Sequence, residues 1–138
     1  MDEAELKSIL ARGIIQMFER QPNILDFTPG TGQTEWNLAH HLAVELREFF
    51  PSLDYDLEIV KVNYEKRRPD IVFHRRGTHE ANHLVIEIKR DGSAAEVADD
   101  IHKIESNWFR APLHYEYGAM INLRSDGKHE IQVLTNRT

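Results

Sequence analysis

A change of hydrophobic period just after residue 90 constrains the fold of this chain more than any other feature. Before it, three segments near 55–62, 69–74 and 83–90 are rich in Val, Ile, Tyr and Phe and are separated by charged or Gly-containing turns, the pattern of β-strands. Ser93-Ala94-Ala95-Glu96 then fits the S-x-x-E capping box, and Val97, Ile101, Ile104 and Trp108 continue at helical spacing to about residue 108. Pro112 bars simple continuation. Residues 115–123 and 128–134 return to strand character around Ser125-Asp126-Gly127, whose Asp-Gly is a hairpin-turn signal. Strand, helix, strand within one sheet implies a parallel pair joined by a right-handed crossover, so the sheet is expected to be mixed.

Two helices precede the strands. Leu6, Ile9, Leu10, Ile14, Met17 and Phe18 recur at helical spacing over residues 2–20, ending before Gln21-Pro22. After a Pro/Gly-rich loop, Thr34 can cap a second helix running to about Phe50, with Leu38, Leu42, Leu46 and Phe49 on one stripe and Pro51 as the stop. The expected order is α-α-β-β-β-α-β-β, an α/β (α+β) chain with a mixed sheet. At 138 residues, with no repeat or linker, one domain spanning 1–138 is expected.

Charge sits in unusual places along the second and third strand-like runs. Arg68-Pro69-Asp70-Ile71-Val72-Phe73 and Leu84-Val85-Ile86-Glu87-Ile88-Lys89 carry two acids and a lysine inside apolar stretches. Side chains alternate along a strand, so Val85, Glu87 and Lys89 share one face while Leu84, Ile86 and Ile88 share the other. A symmetric antiparallel hairpin with its loop at 75–82 sets Asp70 opposite Glu87. Directly opposed residues have β-carbons about 4.5–5.5 Å apart, and like charges so placed repel. A divalent cation relieves that repulsion, since Mg²⁺ (or Mn²⁺) is held by one or two carboxylates together with waters and phosphate oxygens. Lys89 would lie beside it, where an ammonium can orient water and stabilise charge on a phosphate.

Composition adds direction. Seventeen basic and 23 acidic residues give −6, which argues against a general nucleic-acid coat protein. The distribution is uneven: Lys61 to Arg90 holds eight basic and four acidic residues, including Lys66, Arg67, Arg68, Arg75, Arg76 and Arg90, so a polyanion such as DNA is expected to dock there. Without cysteine there is no disulfide, thiolate zinc site or cysteine nucleophile. The acidic start, Met1-Asp2-Glu3-Ala4-Glu5, lacks a secretory pattern and no apolar run approaches membrane-spanning length, so a cytoplasmic protein without a membrane partner is expected.

Pro69-Asp70, a spacer of 16 residues, then Glu87-Ile88-Lys89 resembles the PD-(D/E)xK signature of the restriction-endonuclease-like nuclease superfamily. Residues 34 to about 123 reproduce the αβββαβ order of that superfamily's core, leaving an extra N-terminal helix and a C-terminal strand. The resemblance implies a metal-dependent nuclease hydrolysing phosphodiester bonds. Asp70 and Glu87 become metal ligands, the Ile88 carbonyl a further ligand, and Lys89 the residue that positions the attacking water. Many members add a glutamate from the helix before the first strand. Glu35 looks like that position and is favoured by the helix dipole, while Glu45, on the buried stripe, competes with it. No Gln-x-x-x-Tyr element follows in the later helix. The alternative is a non-catalytic module binding nucleic acid or protein on the same fold. Double-strand cutting by so small a chain implies two paired sites and hence a homodimer.

Other motifs weigh less. His79-Glu80-Ala81-Asn82-His83 matches the zinc-protease pattern H-E-x-x-H, but arises by chance in roughly one such chain in twenty and lies between a turn and a strand rather than on a helix. Trp36 and Trp108 are expected to cap the core rather than to stack bases. Lys103 reads as a surface lysine, with phosphate contact as the alternative.

Overall fold

The computed structural model describes residues 1–26, 32–57 and 69–137. Its elements follow the expected order. Helix α1 spans Glu3–Arg20, with Asp2 as N-cap accepting the Glu5 N–H at 2.8 Å, and α2 spans Gly32–Leu46. Strands β1 (Asp54–Leu57), β2 (Ile71–His74) and β3 (Leu84–Arg90) come next. Helix α3 (Ala94–Lys103) continues into a π-helical turn, Ile104–Trp108, before β4 (Tyr117–Leu123) and β5 (His129–Thr135). No helix among the described residues is long and apolar enough to cross a membrane.

The five strands form one mixed sheet in the order β1-β2-β3-β4-β5. Only β3 and β4 are parallel, and α3 is their crossover. The turn between β4 and β5 closes through Arg124 N–H to the Lys128 carbonyl at 2.8 Å, with Gly127 at φ 86°, a backbone conformation that favours glycine. Ser93 and Glu96 form the expected reciprocal capping box at the start of α3.

Each sheet face has its own apolar layer. Ile71, Phe73, Leu84, Ile86, Ile88 and Ile121 pack against α1 and α2 through Leu6, Leu10, Ile14, Leu38, Leu42 and Leu46, all fully buried. The opposite face is smaller: Val72 and Val85 meet Ile104, Trp108, Phe109, Leu113 and Tyr115. Burying each large aliphatic contributes roughly 1.5–3 kcal/mol, so the first face supplies most of the stability and the second can carry charge.

Local details depart from expectation. Helix α2 begins at Gly32, two residues before the expected cap, so Thr34 lies inside the helix and is buried. It also ends at Leu46 rather than Phe50, because the chain tightens into a 3₁₀ turn, Arg47–Phe49, ahead of Pro51. The expected continuous helix to residue 108 gives way at Ile104, where the Phe109 N–H reaches the Ile104 carbonyl at 2.9 Å, five residues back. The expected first strand reached residue 62; residues 58–62 lie outside the described residues, as do Lys66, Arg67 and Arg68.

Gly118 lets β4 approach the π-helical turn. A β-carbon there would lie 2.4 Å from Ile104 Cγ2 and 3.2 Å from Phe109 Cζ. Gly118→Ala is therefore expected to lower the unfolding free energy by about 1–3 kcal/mol, read from the denaturant midpoint. A neutral result would show that this packing can slide.

Candidate functional site

Strand register decides where the charged residues meet. Ile71 pairs with Ile86, Val72 with Val85 and Phe73 with Leu84, which is the register that sets Asp70 opposite Glu87. Asp70 lies one residue before β2 and extends its ladder with a side chain: Oδ2 accepts the Ile88 N–H at 2.6 Å. Glu87 faces the second apolar layer, 4% exposed, and its Oε1 accepts the Trp108 Nε1–H at 3.3 Å. The π-helical turn brings that indole over the strand. Trp108 thus belongs to the core as expected, while also orienting an acid.

Lys89 points to the same side as Glu87, toward α3. Its Nζ forms an ion pair with Asp100 Oδ2 at 3.3 Å, and Asp100 Oδ1 lies 3.3 Å from Lys103 Nζ. Asp100 is 1% exposed. Lys103, expected as a surface lysine, is partly exposed and directs its ammonium at this acid. The loop after β3 wraps closely around Lys89: Asn122 clamps the Gly92 N–H and carbonyl at 2.9 and 3.0 Å, and a β-carbon on Gly92 would lie 2.8 Å from Lys89 Cβ.

The first turn of α2 reaches the same end of β3 from the other face. Glu35 Oε2 accepts the Arg90 N–H at 3.3 Å, and Arg90 Nη2 donates to the Leu25 carbonyl at 2.8 Å. Glu45 instead pairs with Arg20 of α1 at 2.9 Å, so of the two competing glutamates only Glu35 joins the cluster. The site lies at the carboxyl end of a parallel strand, where open α/β sheets commonly bind ligands.

Electrostatics mark the cluster as strained. Burial pushes the Asp70 carboxyl up to about 7, against the Ile88 N–H and Lys89, with Asp100 and Glu35 adding to the rise. Glu87 is raised well above the ordinary carboxylate range by burial, then by Asp70 and Asp100, against Lys103 and Lys89. Burial disfavours the Lys89 ammonium, but Asp100 and Glu35 outweigh it and leave its pKa raised. Four carboxylates, from α2, the residue before β2, β3 and α3, therefore lie about Lys89, with Lys103 beside Asp100.

The donor set is one of oxygens: two strand carboxylates, a neighbouring backbone carbonyl and Glu35. That chemistry fits a hard divalent ion, which needs few protein ligands and keeps several waters. Among the described residues, no three His, Asp or Glu side chains form a ready-made cage. Asp70, Glu87 and Asp100 are each held by Ile88, Trp108 and the lysines respectively.

Not every candidate gathers here. Arg75 and Arg76 follow β2 at the end away from Asp70, and Arg76 forms a two-pronged contact to Asp56 of β1, Nε to Oδ2 at 2.9 Å and Nη2 to Oδ1 at 2.8 Å. That guanidinium is committed to β1. Residues 79–83 form a turn rather than a helix, with Asn82 bonded to the Leu113 carbonyl and His83 Nδ1 3.0 Å from Glu116, so the H-E-x-x-H imidazoles are not aligned. A cleft of about 510 Å³ beside them, lined by Phe50, Leu53, Asn82 and His83, holds none of the four acids. Trp36, expected in the core, is half exposed and stacks on His40 at 6.5 Å.

Asp100 and Asn122 were not among the expected site residues. Asp100 carried a usable signal: it falls on the 97-101-104-108 stripe of an otherwise apolar helix face, where an acid needs a partner. Asn122 had none beyond its place in a strand. Comparison with known proteins finds no matching family model and no matching curated protein.

Proposed function

We propose that this chain is a divalent-metal-dependent nuclease of the restriction-endonuclease-like type, hydrolysing phosphodiester bonds in DNA. One observation carries the proposal: Glu35, Asp70, Glu87 and Asp100 gather around Lys89 and Lys103, two negative charges in excess when all are ionised. A partly buried surplus, with Glu87 and Asp100 fully enclosed, is costly unless a cation neutralises it. A divalent ion supplies the balancing charge and, when bound, acidifies water and polarises a phosphate oxygen.

The chain's residues take separate roles. Asp70 and Glu87 would hold the ion, with the Ile88 carbonyl and Glu35 beside them. The Trp108 indole fixes the Glu87 carboxylate, and the Ile88 N–H fixes one Asp70 oxygen and leaves the other to bind. Lys89 places its charge on this face of β3, where it steadies water and the phosphate as negative charge develops. The αβββαβ order from α2 to β4, with β3 and β4 parallel, supports the same superfamily.

The test uses plasmid and short labelled duplexes with the purified chain. Cleavage is expected with Mg²⁺ or Mn²⁺ and none in chelator, with Lys89→Met inactive. Ion and DNA binding without turnover would favour the non-catalytic module, and absence of ion binding would defeat the proposal.

A further inference from the structure

A half-buried ammonium beside two carboxylates faces a choice of partner. Lys89 rises from β3 on the face of Glu87, close enough to Asp70 and Glu87 to act on both electrostatically. Direct pairing with either would occupy an oxygen needed for another cation. The ammonium is held instead by Asp100, a fully buried acid from a different element, at 3.3 Å. The second oxygen of Asp100 lies the same distance from Lys103. One carboxylate therefore separates two ammonium groups and draws Lys89 toward α3.

We infer that Asp100 is a positioning residue that keeps Lys89 off Asp70 and Glu87, leaving both acids open to a divalent ion. This rests on the proposed metal-dependent activity. Its physical basis is competition: remove the Asp100 charge, and the acids left within electrostatic reach of a half-buried ammonium are those of the ion site, Glu35, Asp70 and Glu87. The loop supports the arrangement, since Gly92, clamped by Asn122, packs against the base of the Lys89 side chain.

Calorimetric titration of Mn²⁺ into the DNA-free protein tests this without turnover. Asp100→Asn is expected to weaken Mn²⁺ binding by about 10- to 100-fold, the range seen when a residue supporting metal ligands is lost. Adding Lys89→Met to that variant is expected to restore affinity to near the wild-type value, because the displaced ammonium is then gone. Asp100→Glu, which keeps the charge, is expected to bind Mn²⁺ far better than Asp100→Asn. Asp100→Ala repeats the comparison should the Asn amide fail to fold in that buried place. Unchanged affinity in Asp100→Asn, or weak binding that Lys89→Met does not restore, would overturn the inference. A wild-type chain that binds no Mn²⁺ would instead defeat the metal reading beneath it.

Discussion

Asp70→Asn is expected to abolish cleavage and, in the same protein, to raise the stability of the metal-free fold. The two effects share one cause. Asp70 is held among Glu35, Glu87 and Asp100, and its pKa of about 7 records how unfavourable its charge is there. An Asn oxygen can still accept the Ile88 N–H that Asp70 Oδ2 accepts at 2.6 Å, so the local hydrogen bond survives while the charge goes. Removing one buried like charge is expected to stabilise the chain at pH 8 by on the order of 1–3 kcal/mol. Turnover should fall by about 10³-fold or more, since an ion site built on two strand carboxylates loses one of them. Single-turnover cleavage and chemical denaturation check the two halves. Activity within tenfold of wild type would remove Asp70 from the chemistry, and a destabilised variant would show that its charge is already balanced.

The β2–β3 register was legible because it follows from the symmetry of a hairpin and from which residues must be buried. A one-residue slip would turn Ile71 and Phe73 away from the face that Leu84 and Ile86 share against α1 and α2, and the symmetric loop selects the register that sets Asp70 across from Glu87. The crossover was legible from the change of period between Lys89 and Val97. What lay across elements was not. The Lys89–Asp100 pair depends on how α3 rotates over the sheet, and the Trp108–Glu87 contact depends on a π-helical turn that no spacing announces. Arg76 shows the converse: its sequence position suggested a phosphate contact, while the β1–β2 pairing delivers Asp56 to it. Trp36 read as a core residue because large aromatics on amphipathic helices usually cap the core, yet it lies two residues from Leu38, off the buried stripe of α2, and is half exposed beside His40.

The metal-free chain is expected to lose stability as pH rises from about 4 to about 8. Asp70 has a folded pKa of about 7, and Glu87 is also raised, whereas an unfolded carboxylate titrates near 4. Between those values the folded state binds more protons than the unfolded state, so the unfolding free energy falls with increasing pH. Stability from these protons is complete near pH 4 and is lost as pH climbs through the folded pKa, at up to about 1.4 kcal/mol per pH unit for each proton released. A typical carboxylate, paired and with a lowered pKa, gives the opposite slope over the acid part of that range. Asp56 is one such group here, held down by the Arg76 hydrogen bonds. Asp70→Asn should flatten the fall between about pH 4 and 7, the window between the unfolded and folded values of Asp70. An ion that binds the acid pair should do the same at the alkaline end, restoring roughly 2.7 kcal/mol at a hundredfold excess over its Kd. Thermal midpoints recorded in chelator and in Mn²⁺ across this range separate the effects. A midpoint that climbs steadily from pH 5 to 8 in chelator would mean that neither Asp70 nor Glu87 holds its proton in the fold, so that their charges are already balanced there and call for no further cation.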